Sequence, residues 1–179
     1  MSRKYNFCAG PSALPFEVLD NLKDELLDWR GHGLSTMEMS HRSKEFVEIA
    51  ETAKKDFIDL LEINDDYEVL FIQGGASLQF SMIPMNLLEN QNSVCSYLDV
   101  GQWSKKAIKE AKKYGNVKIA ASSAEASYKK YPNPESWDID ERSSFTHMVM
   151  NETIDGDGLR NLDNLPESNI VADSSSCIL

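Results

Sequence analysis

Val69-Leu70-Phe71-Ile72-Gln73-Gly74-Gly75-Ala76-Ser77-Leu78 is the stretch that decides the fold. Four consecutive apolar residues fit a strand covered on both faces, as in a parallel sheet. Gly74-Gly75 breaks the run, and Leu78 to Leu88 reads as helix, with Pro84 removing one backbone donor inside it. Small residues between a strand and a helix let backbone N–H groups approach a ligand, and a helix N-terminus favours an anion. Gly74 to Ser77 lacks the glycine spacing of a dinucleotide fingerprint, and no Gly-Lys-Ser/Thr follows as in a nucleotide P-loop. A phosphate cup and a plain tight turn both remain open for these four residues.

The pattern continues in both directions. Upstream, Val18, Leu19, Leu22, Leu26 and Trp29 recur at helical spacing from Pro15 until Gly31 and Gly33. Phe46, Ile49, Ala50, Ala53, Phe57, Leu60 and Leu61 form the clearest apolar stripe of a second helix. Downstream, 93–98 reads as strand, 102–113 as helix, and 117–120, 145–150 and 170–172 as strands. Strands alternating with helices define an α/β fold with a mainly parallel sheet flanked by helices. Residues 1–14 read as an extended arm and 15–179 as one domain. Ligands of such sheets sit in loops at the carboxyl ends of strands. The loops after Ile72 and Met150, and Asp173, are in that position.

The bulk numbers narrow the function. A net charge of −11 disfavours general binding to nucleic acid or an anionic membrane, while leaving room for a local basic pocket. Cys8, Cys95 and Cys177 form no CxxC pair and leave one over from any disulfide, as expected in a reducing compartment. The N-terminus has no apolar signal core, and no apolar run approaches a membrane span. A soluble, cytoplasmic protein is expected.

Single residues carry double meanings. Trp103, after Asp99-Val100-Gly101, can lie flat on a planar ring, or pack in the core with Ala107 and Ala111. Asn151-Glu152-Thr153-Ile154-Asp155-Gly156 suits ligand contact at a strand end, and equally a turn. Asp173 can bind a metal, a base or a protonated ring nitrogen, or cap a following helix with Ser174 to Ser176. Arg42, beside His41, suits a carboxylate or phosphate through paired hydrogen bonds, or is a surface arginine leading a helix. His32, His41 and His147 show no metal-ligand spacing, so no metal site is expected.

Taken in order, Asn6-Phe7-Cys8-Ala9-Gly10-Pro11, Ser40-His41-Arg42-Ser43-Lys44-Glu45-Phe46, Phe71 to Phe80, Gly101-Gln102-Trp103-Ser104, Asn151 to Gly156 and Val171-Ala172-Asp173 resemble the phosphoserine aminotransferase family of class-V aminotransferases. The resemblance spans the whole chain. It implies the large, cofactor-binding domain of a fold-type-I pyridoxal-phosphate transferase. It implies pyridoxal 5'-phosphate as cofactor, with Ala76 and Ser77 at its phosphate, Trp103 stacked on its ring, Thr153 hydrogen-bonded to it and Asp173 paired with its protonated ring nitrogen. His41 and Arg42 would hold the distal anionic group of substrate, from the neighbouring subunit of a homodimer. The implied reaction moves an amino group from glutamate to 3-phosphohydroxypyruvate, in serine biosynthesis; the family also acts on a phosphorylated hydroxythreonine precursor in pyridoxine biosynthesis.

Two departures qualify the resemblance. Some family members have arginine where this chain has Ser77. In the family a Schiff-base lysine lies a few tens of residues beyond the equivalent of Asp173, whereas all thirteen lysines here precede it. The expectation is an N-terminal half with an incomplete large domain, inactive alone. The alternatives are a non-catalytic module that binds pyridoxal phosphate or anions, or one that dimerises with intact subunits. A flavodoxin-like phosphate-binding domain is a third reading.

Overall fold

The computed structural model describes residues 3–178, which fall into two compact units divided between Phe71 and Ile72. The first unit is helical. Helix α1 (Phe16–Glu25) follows Pro15, which supplies the non-helical residue before the first turn. It ends well before Gly31, because Asp28 is extended and its Oδ1 accepts the Gly33 N–H at 2.6 Å. Trp29–Gly31 then makes a separate 3-10 turn with Trp29 buried and the Arg30 guanidinium 4.6 Å from its ring centre. Helix α2 (Lys44–Leu60) begins at Ser43, whose Oγ accepts the Phe46 N–H at 3.2 Å.

The strand expected at 69–72 is not formed. Val69–Ile72 forms no helix or strand and pairs with no strand among the described residues. An apolar run supplies the side chains of a buried strand; its N–H and C=O groups still need a neighbouring ladder. Val69, Leu70 and Phe71 instead line a groove of about 620 Å³ with Phe57, Leu61 and Ile63.

The second unit is the α/β layer. Helix α3 (Gly75–Leu87) leads to β1 (Val94–Asp99), α4 (Gln102–Ala111), β2 (Asn116–Ser122), β3 (Ser143–Val149) and β6 (Ile170–Asp173). A two-stranded hairpin, β4 (Asn151–Glu152) and β5 (Asp157–Gly158), follows β3. The sheet order is β2-β1-β3-β6, and every pairing in it is parallel. Helix α3 runs through Pro84, which is buried, and starts at Gly75 rather than at Leu78.

Alternation along the strands separates two cores. Cys95, Tyr97 and Phe145 face Phe80 of α3 and Ala107, Ile108 and Ala111 of α4. Leu98 and Met148 face the other way, with Val100, Ala120 and Trp137. Both faces are covered, so successive residues are buried along the middle of β1 and the second half of β3, the polar Ser96, Thr146 and His147 included. From β1 the chain crosses to β2 on one side, while β3 lies on the other. The carboxyl ends of β1 and β3 therefore flank a topological switch point, where open parallel sheets place their ligands.

Candidate active site

At that switch point Trp103 and Thr153 meet. Trp103 Nε1 donates to Thr153 Oγ1 at 2.9 Å, joining the first turn of α4 to the β4–β5 hairpin. Ala107 and Ala111 are fully buried, but Trp103 is only half-buried, so the helix face they share is core at one end and site at the other. The Lys106 ammonium lies 4.1 Å from the Trp103 ring centre.

The hairpin also caps α4. Glu152 is fully buried and accepts the N–H groups of Trp103 and Ser104, each at 2.8 Å. Asp155 Oδ2 accepts the Gln102 N–H at 2.9 Å. These carboxylates occupy the donors that a helix N-terminus leaves without intrahelical partners. Glu152 is thus a structural carboxylate. Its partners lie 48 and 49 residues away, and no local pattern announces them. The turn reading of Asn151 to Gly156 is realised: Gly156 N–H bonds Glu152 O at 2.8 Å, and the turn directs Thr153 to Trp103.

Helix α3 is left open where α4 is closed. Its N-cap is Gly74, at φ 101°, with no side chain capping the first turn. A Cβ on Gly74 would sit 2.3 Å from Leu78 Cδ2, so both the backbone conformation and the close approach require glycine. Nothing lies within 4 Å of a Cβ on Gly75. Ala76 lines a cavity of about 220 Å³, together with Phe80, His147, Asp173 and Ser175; Ser77 is exposed in the same first turn.

Asp173 reaches this cavity from the carboxyl end of β6. Its Oδ1 accepts from Ser175 N at 3.1 Å and from Ser175 Oγ at 2.6 Å, and all its side-chain hydrogen bonds are on that oxygen. The helix that a capping Asp173 would start is not formed among the described residues; Asp173 holds a turn through Ser175 instead. That turn occupies Oδ1, and no hydrogen bond to Oδ2 is made among the described residues. His147 also lines the cavity and is buried. Burial pushes its pKa down to about 4, opposed by the charge of Asp173. The sequence gives His147 no distinct signal, since it shares the stretch Phe145 to Met150 with the polar Thr146.

His41 and Arg42 lie on an exposed turn of the first unit, before α2, where the Arg42 N–H meets Ser40 Oγ at 3.3 Å. The second unit thus brings together Ala76 with Asp173 and Trp103 with Thr153, along one edge of its sheet. Among the described residues, no group of three or more histidine, cysteine or acidic side chains is placed to hold a metal ion, and no helix is long and apolar enough to cross a membrane.

A parallel sheet with an open helix N-terminus, an aromatic side chain and an acid at its carboxyl edge is the frame of a cofactor-dependent transferase, and residues 4–176 match the family Aminotransferase class-V. The chain belongs to that family. It is similar to the phosphoserine aminotransferase of Pseudomonas aeruginosa, at 51% identity over 99% of this chain and 49% of the relative. It is likewise similar to that of Marinomonas sp., at 52% identity over 100% of this chain and 49% of the relative. Among solved structures, phosphoserine aminotransferase from Bacillus circulans subsp. alkalophilus superposes with a TM-score of 0.89, at 37% identity, over 97% of this chain and 51% of that one. A pyridoxal-phosphate-bound phosphoserine aminotransferase from Trichomonas vaginalis gives 0.86, at 34% identity, over 96% and 48%. The chain spans about half the length of the curated relatives it matches.

Proposed function

We propose that this chain supplies the cofactor-binding part of a phosphoserine aminotransferase, which transfers the amino group of glutamate to 3-phosphohydroxypyruvate. The observation that carries the reading is the pairing of an uncapped α3 N-terminus with Asp173 around one cavity. The donor set fits pyridoxal phosphate. The first-turn N–H groups of Ala76 and Ser77, with the Ser77 hydroxyl, suit a phosphate. Asp173 Oδ2 suits a protonated ring nitrogen. Trp103 offers a ring face, and its bond to Thr153 fixes the indole in its plane while leaving the Thr153 hydroxyl proton to donate.

The cofactor, when bound, supplies an electron sink for the carbon that loses its proton. This chain's residues set the conditions. Asp173 would hold the protonated ring nitrogen, the α3 N-terminus would hold the phosphate, and Trp103 would offer its ring face to the cofactor. His41 and Arg42 hold the distal anionic end of either substrate, across the interface of a homodimer. One cationic pair serves both, because glutamate and phosphohydroxypyruvate each end in an anion. Cytoplasmic location, and the division into an arm at 1–14 and a large-domain portion at 15–179, belong to the same reading.

The test is a titration of the 179-residue chain with pyridoxal phosphate, followed by Trp fluorescence. Quenching that is lost in Trp103→Phe and weakened in Asp173→Ala supports the reading; no quenching at millimolar cofactor overturns it. Mixing with the C-terminal half of the Pseudomonas aeruginosa relative should then give glutamate-dependent phosphoserine formation. Cofactor binding without that activity would favour a non-catalytic binding module instead.

A further inference from the structure

The floor of the cavity holds a histidine without a partner. His147 is 1% exposed, and neither Nδ1 nor Nε2 has a hydrogen-bond partner among the described residues. Leaving a buried polar group unpaired costs about 1–3 kcal/mol, so such groups ordinarily have a protein or water partner. The ring faces cannot supply one. Tyr97 stacks on the imidazole at 4.7 Å and 17°, and Phe80 meets it in an edge arrangement at 6.1 Å. Only the ring edge, which carries the nitrogens, can meet a polar group.

The sheet register names the partner. His147 is opposite Val171, and Val149 is opposite Asp173. Side chains two apart on a strand share a face, so His147 and Asp173 lie on the same face as diagonal neighbours. Diagonal neighbours are about 7–8 Å apart, within reach of long side chains or of one bridging water. The cavity between them, about 220 Å³, is large enough for water. Asp173 has Oδ2 to offer, since Ser175 uses only Oδ1.

We propose that His147 is a positioning residue for Asp173: its ring N–H, directly or through one water in the cavity, holds Asp173 Oδ2 from the core side and leaves the outer lone pair for the cofactor's ring nitrogen. The role toward the cofactor rests on the pyridoxal-phosphate reading above; the contact with Asp173 does not. Burial keeps the imidazole neutral near pH 7, which makes it a hydrogen-bond donor without a counter-charge. The carboxylate is then oriented but not neutralised, and its charge remains available to the pyridinium.

The experiment has two arms. In the first, imidazole nitrogen NMR on the cofactor-free 179-residue chain at pH 7 compares the wild type with Asp173→Asn and Asp173→Ala. A single neutral tautomer in the wild type that shifts or becomes mixed in both variants supports the contact; identical His147 spectra in all three overturn it. In the second, pyridoxal phosphate is titrated against His147→Phe, Asp173→Ala and the double variant. His147→Phe should weaken binding about tenfold alone and less than twofold in the Asp173→Ala background, since residues acting through one group are not additive. Equal losses in both backgrounds overturn the positioning role. His147→Gln and His147→Asn keep a donor near one ring nitrogen, so one of them should recover part of the affinity, and they stand in if the Phe variant does not fold. Failure of the wild type to bind pyridoxal phosphate would sink the functional reading, and the first arm would still decide the contact.

Discussion

Glu152 accepts the backbone N–H of Trp103 at 2.8 Å across 49 residues of chain. With the Ser104 N–H on its other oxygen, this carboxylate holds the start of α4 against the turn that carries Thr153. Helix N-termini attract anions, and the sheet edge presents two of them. The chain's own acids fill the one at α4. The one at α3 begins at Gly74 and has no side-chain cap, so an anion from solution meets a single open N-terminus instead of two competing ones.

Removing that internal anion should therefore be expensive. Glu152→Ala leaves two buried N–H groups unpaired, and hydrogen bonds to a charged group contribute about 1.5–3 kcal/mol each. A loss of about 3 kcal/mol in urea unfolding is expected, with Glu152→Gln intermediate because it keeps one acceptor oxygen. A loss below about 0.5 kcal/mol for the alanine variant would contradict the capping role. Trp103 should also become more exposed, seen as a red shift of its emission.

Gly101 is tied to the same carboxylate. A Cβ there would lie 2.5 Å from Glu152 Cδ and 2.6 Å from Asp155 Oδ2. Overpacking of this kind costs about 1–3 kcal/mol. Gly101→Ala should be destabilising by that amount in the wild type and by clearly less in a Glu152→Ala background, where one of the two obstacles is gone. Strictly additive losses in a double-mutant cycle would show that the two positions do not meet.

The alternation of strands and helices was readable because it rests on local periodicity. The stripe of α2 and the apolar cores of β1 and β3 follow directly from residues such as Phe46, Ile49, Tyr97 and Phe145. Val69 to Ile72 misled because strand character is a property of side chains, while pairing depends on a distant neighbour. The same division runs through the site. Trp103, Thr153 and Asp173 stand out by type and by place at or just beyond strand ends, and Gly74 and Ala76 by small size at the start of a helix. Glu152 and His147 do not, since a cap 49 residues away and a cavity floor exist only once the sheet has closed.

Gly74 and Gly75 should tolerate alanine differently. Both have positive φ, at 101° and 58°, but only Gly74 has an obstacle, Leu78 Cβ at 2.5 Å and Cδ2 at 2.3 Å from the added carbon. Gly75→Ala should lose about 1 kcal/mol, the usual penalty for a left-handed L-residue. Gly74→Ala should lose more, by about 1–3 kcal/mol of steric conflict, and should displace the first turn of α3. Urea unfolding checks the order, and pyridoxal-phosphate titration should show the larger affinity loss in Gly74→Ala. Equal behaviour of the two variants would refute the assignment of Leu78 as the obstacle.

His147 should give the unit an acid-sensitive component of stability. Burial lowers its folded pKa to about 4, against an ordinary value of 6.5, and Asp173 opposes part of that shift. Between those values the unfolded chain binds the proton more readily than the folded one, so stability rises with pH across the window. The contribution is complete above about pH 6.5 and disappears as pH falls toward 4. At roughly 1.4 kcal/mol per pKa unit the span amounts to about 3 kcal/mol. Other carboxylates also titrate below pH 5, so the informative quantity is the difference between wild type and His147→Phe. That difference should be flat above pH 6.5 and should favour the Phe variant increasingly down to pH 4. Asp173→Ala removes the anion that raises the imidazole pKa, so in that background the same difference should grow larger at the acid end. A difference curve that stays flat from pH 7 to pH 4 would mean that burial does not lower the imidazole pKa in the folded chain.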